Sequence, residues 1–172
     1  MAEAVQARVS WKTAALCVIA IELLGGLSGW LSNSGYGNRW FDTLQKPSFM
    51  PPGWTFGAVW PVLYAMLGVA LATVLAEPAS PRRQAALTLF IIQLALNFAW
   101  SPIFFAGHDI VLANLVIFAM AVLAAVAARL FLKLRKSAGV LMVPYLAWLV
   151  FAATLNSTIQ SLNPGAGTSL IG

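Results

Sequence analysis

"QAALTLFIIQLALNFAWSPIFFA", residues 84–106, runs without one charged side chain and carries its few amides inside an otherwise apolar segment. A hydrocarbon core ~30 Å thick needs about 20 mostly apolar residues per helix, so this stretch is long enough to cross a bilayer. Four further runs qualify, at about 11–32, 54–76, 110–132 and 138–162. They are separated by a long loop (33–53), "EPASPRR" (77–83), "GHD" (107–109) and "KLRKSAG" (133–139). The runs are continuous and lack the alternation of a membrane barrel, which selects helices over strands. The expected fold is an all-α integral membrane protein: one domain, a bundle of five transmembrane helices, with the long first loop capping a pocket.

Composition agrees. Of 172 residues, 60% are hydrophobic and 9% charged, against roughly 25% charged in soluble domains. The net charge of +5 does not indicate nucleic acid, because no basic patch is interleaved with exposed aromatics. Thr13 to Leu31 exceeds the ~7–15 residue core of a signal peptide and shows no clear cleavage site, so it reads as a retained helix. Cys17 is the single cysteine, which leaves no disulfide framework.

With five spans, the N-terminus and the loops at 77–83 and 133–139 share one side, which collects Arg8, Lys12, Arg82, Arg83, Arg129, Lys133, Arg135 and Lys136. The other side has only Arg39 and Lys46. This bias places the N-terminus on the cytoplasmic side, with the first loop and the C-terminus opposite. Five helices without an internal repeat cannot form two equal inverted halves, which counts against a conventional secondary transporter.

Depth along each helix follows from 1.5 Å per residue. Trp60 lies about 9 Å below the outer end of the second span, Trp100 and Asn97 about 9 and 14 Å below that of the third, and Asn156, Ala152 and Trp148 about 9, 15 and 21 Å below that of the fifth. Gln93, Asn97, Trp100 and Phe104 share one helix face, as do Tyr145, Trp148, Ala152 and Asn156, and Trp60 pairs with Tyr64. Three helices thus offer aromatic bulk and hydrogen-bonding groups beneath the first loop. Unpaired polar groups are costly in hydrocarbon, so these faces turn inward. Buried amides also serve as interhelical glue and tryptophans as interfacial anchors, the latter being the reading for Trp11, Trp30 and Trp54. For Trp60, Asn97, Trp100 and Trp148 together, a ligand cavity explains the depth better than anchoring does.

Glu22 is the one acidic residue deep in a span, on the same face as Gly25 and Gly29; it reads as protonated or hydrogen-bonded inside the bundle, with a ligand or proton role as the alternative. Pro61, Pro102 and Pro144 interrupt three spans. With one histidine, His108, far from the one cysteine, a zinc site, a Cys–His pair or bis-histidine haem ligation within the chain is not available.

Three segments, "RWFDTLQKPSFMPPGWTFGAVWPVLYAMLG" (39–68), "QLALNFAWSPIFF" (93–105) and "PYLAWLVFAATLN" (144–156), resemble the signature blocks of the translocator protein family, also called tryptophan-rich sensory proteins or peripheral benzodiazepine receptors. The resemblance covers nearly the whole chain. It implies a five-helix bundle, usually a homodimer, that binds tetrapyrroles such as protoporphyrin IX and related hydrophobic molecules in a pocket covered by the first loop. No cofactor is required, the porphyrin being the ligand. Trp40 matches the family's loop tryptophan, and Phe41 replaces a common tyrosine. Trp60, Asn97, Trp100, Trp148 and Ala152 match pocket positions, and Gln93 and Tyr145 neighbouring ones. The resemblance also implies an enzymatic alternative, light-dependent porphyrin breakdown, for which Trp40 and Trp148 are the candidate residues. The animal sterol motif reads Leu155, Ser157 and Ser161 here, without its tyrosine and arginine, which argues against high-affinity sterol binding.

The expected ligand set is therefore Trp40, Phe41, Pro51, Trp60, Tyr64, Gln93, Asn97, Trp100, Tyr145, Trp148, Ala152 and Asn156. Pro47, Pro51 and Pro52 restrict the chain that enters the second span, making 44–60 a stiffened lid and first wall. The uncharged tail, 163–172, is expected to be disordered.

Overall fold

The computed structural model describes residues 8–167. All five apolar runs form helices long and apolar enough to cross a membrane. They are α1 (Trp11–Leu31), α3 (Gly53–Leu75), α4 (Pro81–Ser101), α5 (Ile110–Leu134), and a fifth span split into α6 (Lys136–Leu141) and α7 (Val143–Leu162). A short helix, α2 (Arg39–Thr43), lies within the first loop. Chain breaks follow local chemistry. Ser80 caps α4 by accepting from the Arg83 N–H, and Asp109 caps α5 by accepting from the Leu112 N–H, each satisfying a donor that a helix start leaves free.

The three span prolines have three outcomes. Pro61 sits inside an unbroken α3. Pro102 opens a single π-helical turn, Pro102–Ala106, that prolongs α4. Pro144 falls in the first turn of α7, after the break at Met142, where its missing N–H is least costly.

The helices close a ring in which α1 packs on α3, α3 on α6 and α7, α7 on α5, α5 on α4, and α4 on α1. At one end, Arg135 pairs with Glu77 at 3.1 Å, and Arg83 donates to the Val74 and Leu75 carbonyls that end α3. The two basic loops therefore share this end, as expected. The half of the bundle above it is tightly packed: Ala70, Ala86, Ala124, Ala127 and Ala138 are buried, and the Phe90 and Phe131 rings stack at 5.3 Å. A Cβ on Gly68 would come within 2.6 Å of the Val18 Cα, so α1 and α3 touch backbone to backbone. Small residues are what permit such approach between membrane helices.

The opposite end is held apart by large aromatic side chains, and here the first loop, the 107–109 turn and residues 163–167 meet. Asn38 caps α2 by accepting from the Phe41 N–H and donates to the Phe105 carbonyl. Lys46 donates to the Phe41 and Leu44 carbonyls at the end of α2, and its ammonium lies 4.5 Å from the centre of the Phe41 ring. Asn163 accepts from the Gln45 N–H and donates to the Gln45 carbonyl, both at 2.8 Å, while the Trp40 indole donates to the Ala166 carbonyl. Over 163–167 the expected disorder is thus replaced by a turn clasped to the first loop, because Asn163 supplies both a donor and an acceptor to one peptide unit. The rest of that tail, 168–172, lies outside the described residues.

Candidate functional site

The aromatic half encloses a cavity of about 620 Å³, within the usual range for small-molecule sites. Its walls come from the loop-bearing halves of α1 and α3, from α4 and its π turn, from α5 and α7, and from the first loop. Eight of the twelve sequence-predicted residues line it: Phe41, Trp60, Tyr64, Asn97, Trp100, Trp148, Ala152 and Asn156.

The other four lie elsewhere. Gln93 and Tyr145 are wholly buried one layer behind the wall. The Tyr64 hydroxyl donates to Asn97 Oδ1 at 2.8 Å, Asn97 Nδ2 donates to the Tyr145 hydroxyl at 3.1 Å, and that hydroxyl donates to Gln93 Oε1 at 2.8 Å. Their role is to set the orientation of Asn97. Pro51 is part of the lid rather than the wall, and its carbonyl accepts from the Tyr36 hydroxyl at 3.2 Å. Trp40 is displaced most from expectation. Its ring stacks on His108 at 4.5 Å and packs edgewise on Phe104, so it fastens the lid from outside the cavity. His108 adopts a left-handed backbone (φ 56). A Cβ on Gly167 would lie 2.4 Å from the His108 carbonyl, so a glycine is needed where the tail crosses this turn. Trp40 and Trp148, the pair expected to share any photochemistry, do not share a wall.

Rings in the wall meet both edgewise and flat. Trp60 and Trp148 are 6.3 Å apart at 83°, Phe56 and Trp148 5.8 Å at 73°, and Trp100 lies flat on Phe104 at 5.0 Å. Three polar atoms in this wall are buried without a hydrogen-bond partner: Trp100 Nε1, Trp148 Nε1 and Asn156 Oδ1. The amide nitrogen of Asn156 is engaged, donating to Asn114 Oδ1 at 2.7 Å. Orphaned buried donors are costly and uncommon; these two indole N–H groups lie inside the packed wall, closed off from the space itself.

The comparisons with known proteins agree with this architecture. The pattern of the TspO/MBR family matches residues 15–162. The chain belongs to the TspO/MBR family. It is 41% identical over 154 residues to the tryptophan-rich protein TspO of Chlorobaculum tepidum, covering 88% of this chain and 96% of that one. It is 36% identical over 155 residues to the translocator protein of Sus scrofa, covering 87% and 92%, and 36% identical over 126 residues to the tryptophan-rich sensory protein of Cereibacter sphaeroides, covering 73% and 78%. Like the family, this TspO/MBR chain is a multi-pass membrane protein.

Sequence reasoning missed Tyr36, Met50 and Phe56 in the cavity surface, and it missed α2. The signal for α2 was present: Asn38 directly precedes "RWF", a cap residue ahead of a short aromatic run. Phe56 was legible as the residue one turn before Trp60. Tyr36 and Met50 carry no signal of their own, since only the path of the loop brings them over the opening.

Proposed function

We propose that this chain is a membrane receptor for a flat, mostly apolar tetrapyrrole of the porphyrin type, which it binds in the aromatic cavity and senses or hands on. The observation that carries the reading is an aromatic cavity of about 620 Å³ walled by Trp60, Trp100 and Trp148, with the oriented Asn97 amide in its lining. A porphyrin offers a broad π-face that packs against aromatic walls. A metal-free macrocycle needs no axial ligand, and none of the wall residues is a histidine or cysteine. The bias of lysine and arginine supports an orientation with the lid on the side opposite the cytoplasm.

The test is quenching of tryptophan fluorescence by protoporphyrin IX in lipid nanodiscs. Trp148→Phe and Asn97→Ala are each expected to weaken binding by roughly tenfold, the loss of aromatic contact in one case and of one oriented amide in the other. Two variants that bind as tightly as the wild type would sink the assignment of this cavity.

A further inference from the structure

The porphyrin reading uses the aromatic walls and the Asn97 amide and leaves the acid in the same cavity unexplained. Glu22 lies on α1 and lines the cavity together with Trp60, Tyr64 and Trp148. It forms no hydrogen bond and no ion pair among the described residues. Among the described residues the cavity surface contains no lysine, arginine or histidine, so none of them supplies a counter-ion there. The turn of α1 beside it carries two glycines: Gly25 lies against the Tyr64 ring, whereas a Cβ at Gly26 would meet nothing within 4 Å. Aromatic rings lining the same cavity are set at angles rather than stacked, with Trp60 and Tyr64 5.1 Å apart at 38° and Trp60 and Trp148 6.3 Å apart at 83°.

A carboxylate without a basic partner, in a cavity it shares with aromatic rings, is the chemistry that recognises an organic cation. The rings attract it through their negative faces, the acid supplies the charge, and each contribution grows as water is excluded. An intramembrane acid otherwise pairs with a basic group of the protein or stays neutral, and here no basic group among the described residues is within the cavity surface. We propose that the Glu22 side of the cavity is a subsite for an alkylammonium group, so that the chamber also accepts hydrophobic amines in which a cation is attached to an apolar body. The inference rests on reading this cavity as the ligand chamber. It differs from the porphyrin reading in that a charge is recognised and in the residue that recognises it.

The experiment uses two probes of nearly equal shape: N,N-dimethyl-2-(1-naphthyl)ethylamine, protonated at neutral pH, and 1-(3-methylbutyl)naphthalene, in which carbon replaces the ammonium nitrogen. Binding of each to the full chain in nanodiscs is measured by calorimetry for the wild type, Glu22→Gln and Trp60→Leu, and protoporphyrin IX is titrated separately. Comparing one probe across variants cancels its partition into lipid. Glu22→Gln is expected to weaken the ammonium probe by roughly tenfold, the scale of one partly exposed charge pair with a cation–π contact. The hydrocarbon probe should stay within about twofold. Trp60→Leu should weaken the ammonium probe more than the hydrocarbon probe. A Glu22→Gln variant that binds the ammonium probe unchanged, or that weakens both probes equally, would overturn the subsite even if porphyrin binds normally. Loss of porphyrin and of both probes in the wild type would instead remove the cavity reading itself.

Discussion

Replacing Gly25 with alanine tests whether the cavity wall is built as described. The added Cβ would lie 2.2 Å from Cε2 of Tyr64, 2.7 Å from Cζ and 2.9 Å from the hydroxyl. Ordinary contact begins near 3.4 Å, so the ring has to retreat by at least about 1.2 Å. Its hydroxyl is committed to Asn97 Oδ1 at 2.8 Å, and a retreat of that size stretches the bond beyond useful length. Two buried polar atoms then lose their partner, at a cost of about 1–3 kcal/mol, and the Asn97 amide is freed from one of its two restraints. Porphyrin affinity is expected to fall roughly tenfold and thermal stability in detergent to drop. The decisive comparison is the double variant. If the effect runs through Tyr64, Gly25→Ala should be nearly neutral in a Tyr64→Leu background, because the colliding ring is absent; non-additivity of about 1 kcal/mol or more is the expected signature for residues in contact. A Gly25→Ala protein with unchanged melting and porphyrin affinity, or with the same penalty in both backgrounds, would refute the argument.

Gly68→Ala should be harsher on the fold and show no selectivity for ligand: its Cβ meets Val18 backbone atoms at 2.6 and 2.7 Å, which no rotamer change relieves, so a stability loss at or above the usual 1–3 kcal/mol of overpacking is expected. An unchanged melting temperature would show that α1 and α3 are not in backbone contact. Asn163→Ala removes both bonds to Gln45 and should speed porphyrin release several-fold, by about 1 kcal/mol of lost lid fastening, with a smaller change in the packed half. Stopped-flow release rates equal to wild type would mean the tail does not fasten the lid. If light-driven porphyrin breakdown occurs at this site, Trp148→Phe should slow bleaching of bound porphyrin under illumination, whereas Trp40→Phe, outside the cavity wall, should affect it only through lid stability. Bleaching no faster than that of free porphyrin would exclude the activity.

How far the sequence was legible depends on what each residue's position is decided by. The five spans could be read because hydrophobic length is a property of the segment alone, and the ends of α1 and α3 fall within a residue or so of expectation. The helix-face arguments for Trp60, Tyr64, Asn97, Trp100, Trp148, Ala152 and Asn156 also worked, since 3.6-residue periodicity carries an inward face with it and all seven reach one cavity. The same argument could not say how deep behind the face a side chain would sit. Gln93 and Tyr145 share a face with wall residues yet lie one layer back, where α4 and α7 approach closely enough for the tyrosine to reach the glutamine. Nor could it see the π turn at Pro102, where the i, i+4, i+7, i+11 spacing stops governing; Phe104 and Phe105 both become buried there.

The lid is the clearest case of information held in tertiary contact alone. Three prolines in "KPSFMPP" suggested stiffness, and Pro51 does sit in an ordered crossing. The features that close the lid are nevertheless distant in sequence: Trp40 against His108 and Ala166, and Gln45 against Asn163. Matching Trp40 to a family position placed it in the ligand set, while its geometry gives it a fastening role. The two halves of the bundle differ for the same physical reason. Alanine and glycine at the helix contacts of one half let backbones meet and leave no room, whereas aromatic side chains on inward faces of the other hold the helices apart. Each ring that props the wall also exposes a face to the space it creates. The architecture and the recognition surface are therefore made by the same residues, and variants of Trp60 or Trp148 should alter cavity shape and ligand affinity together, while Glu22, which props nothing, should alter only which charges are accepted.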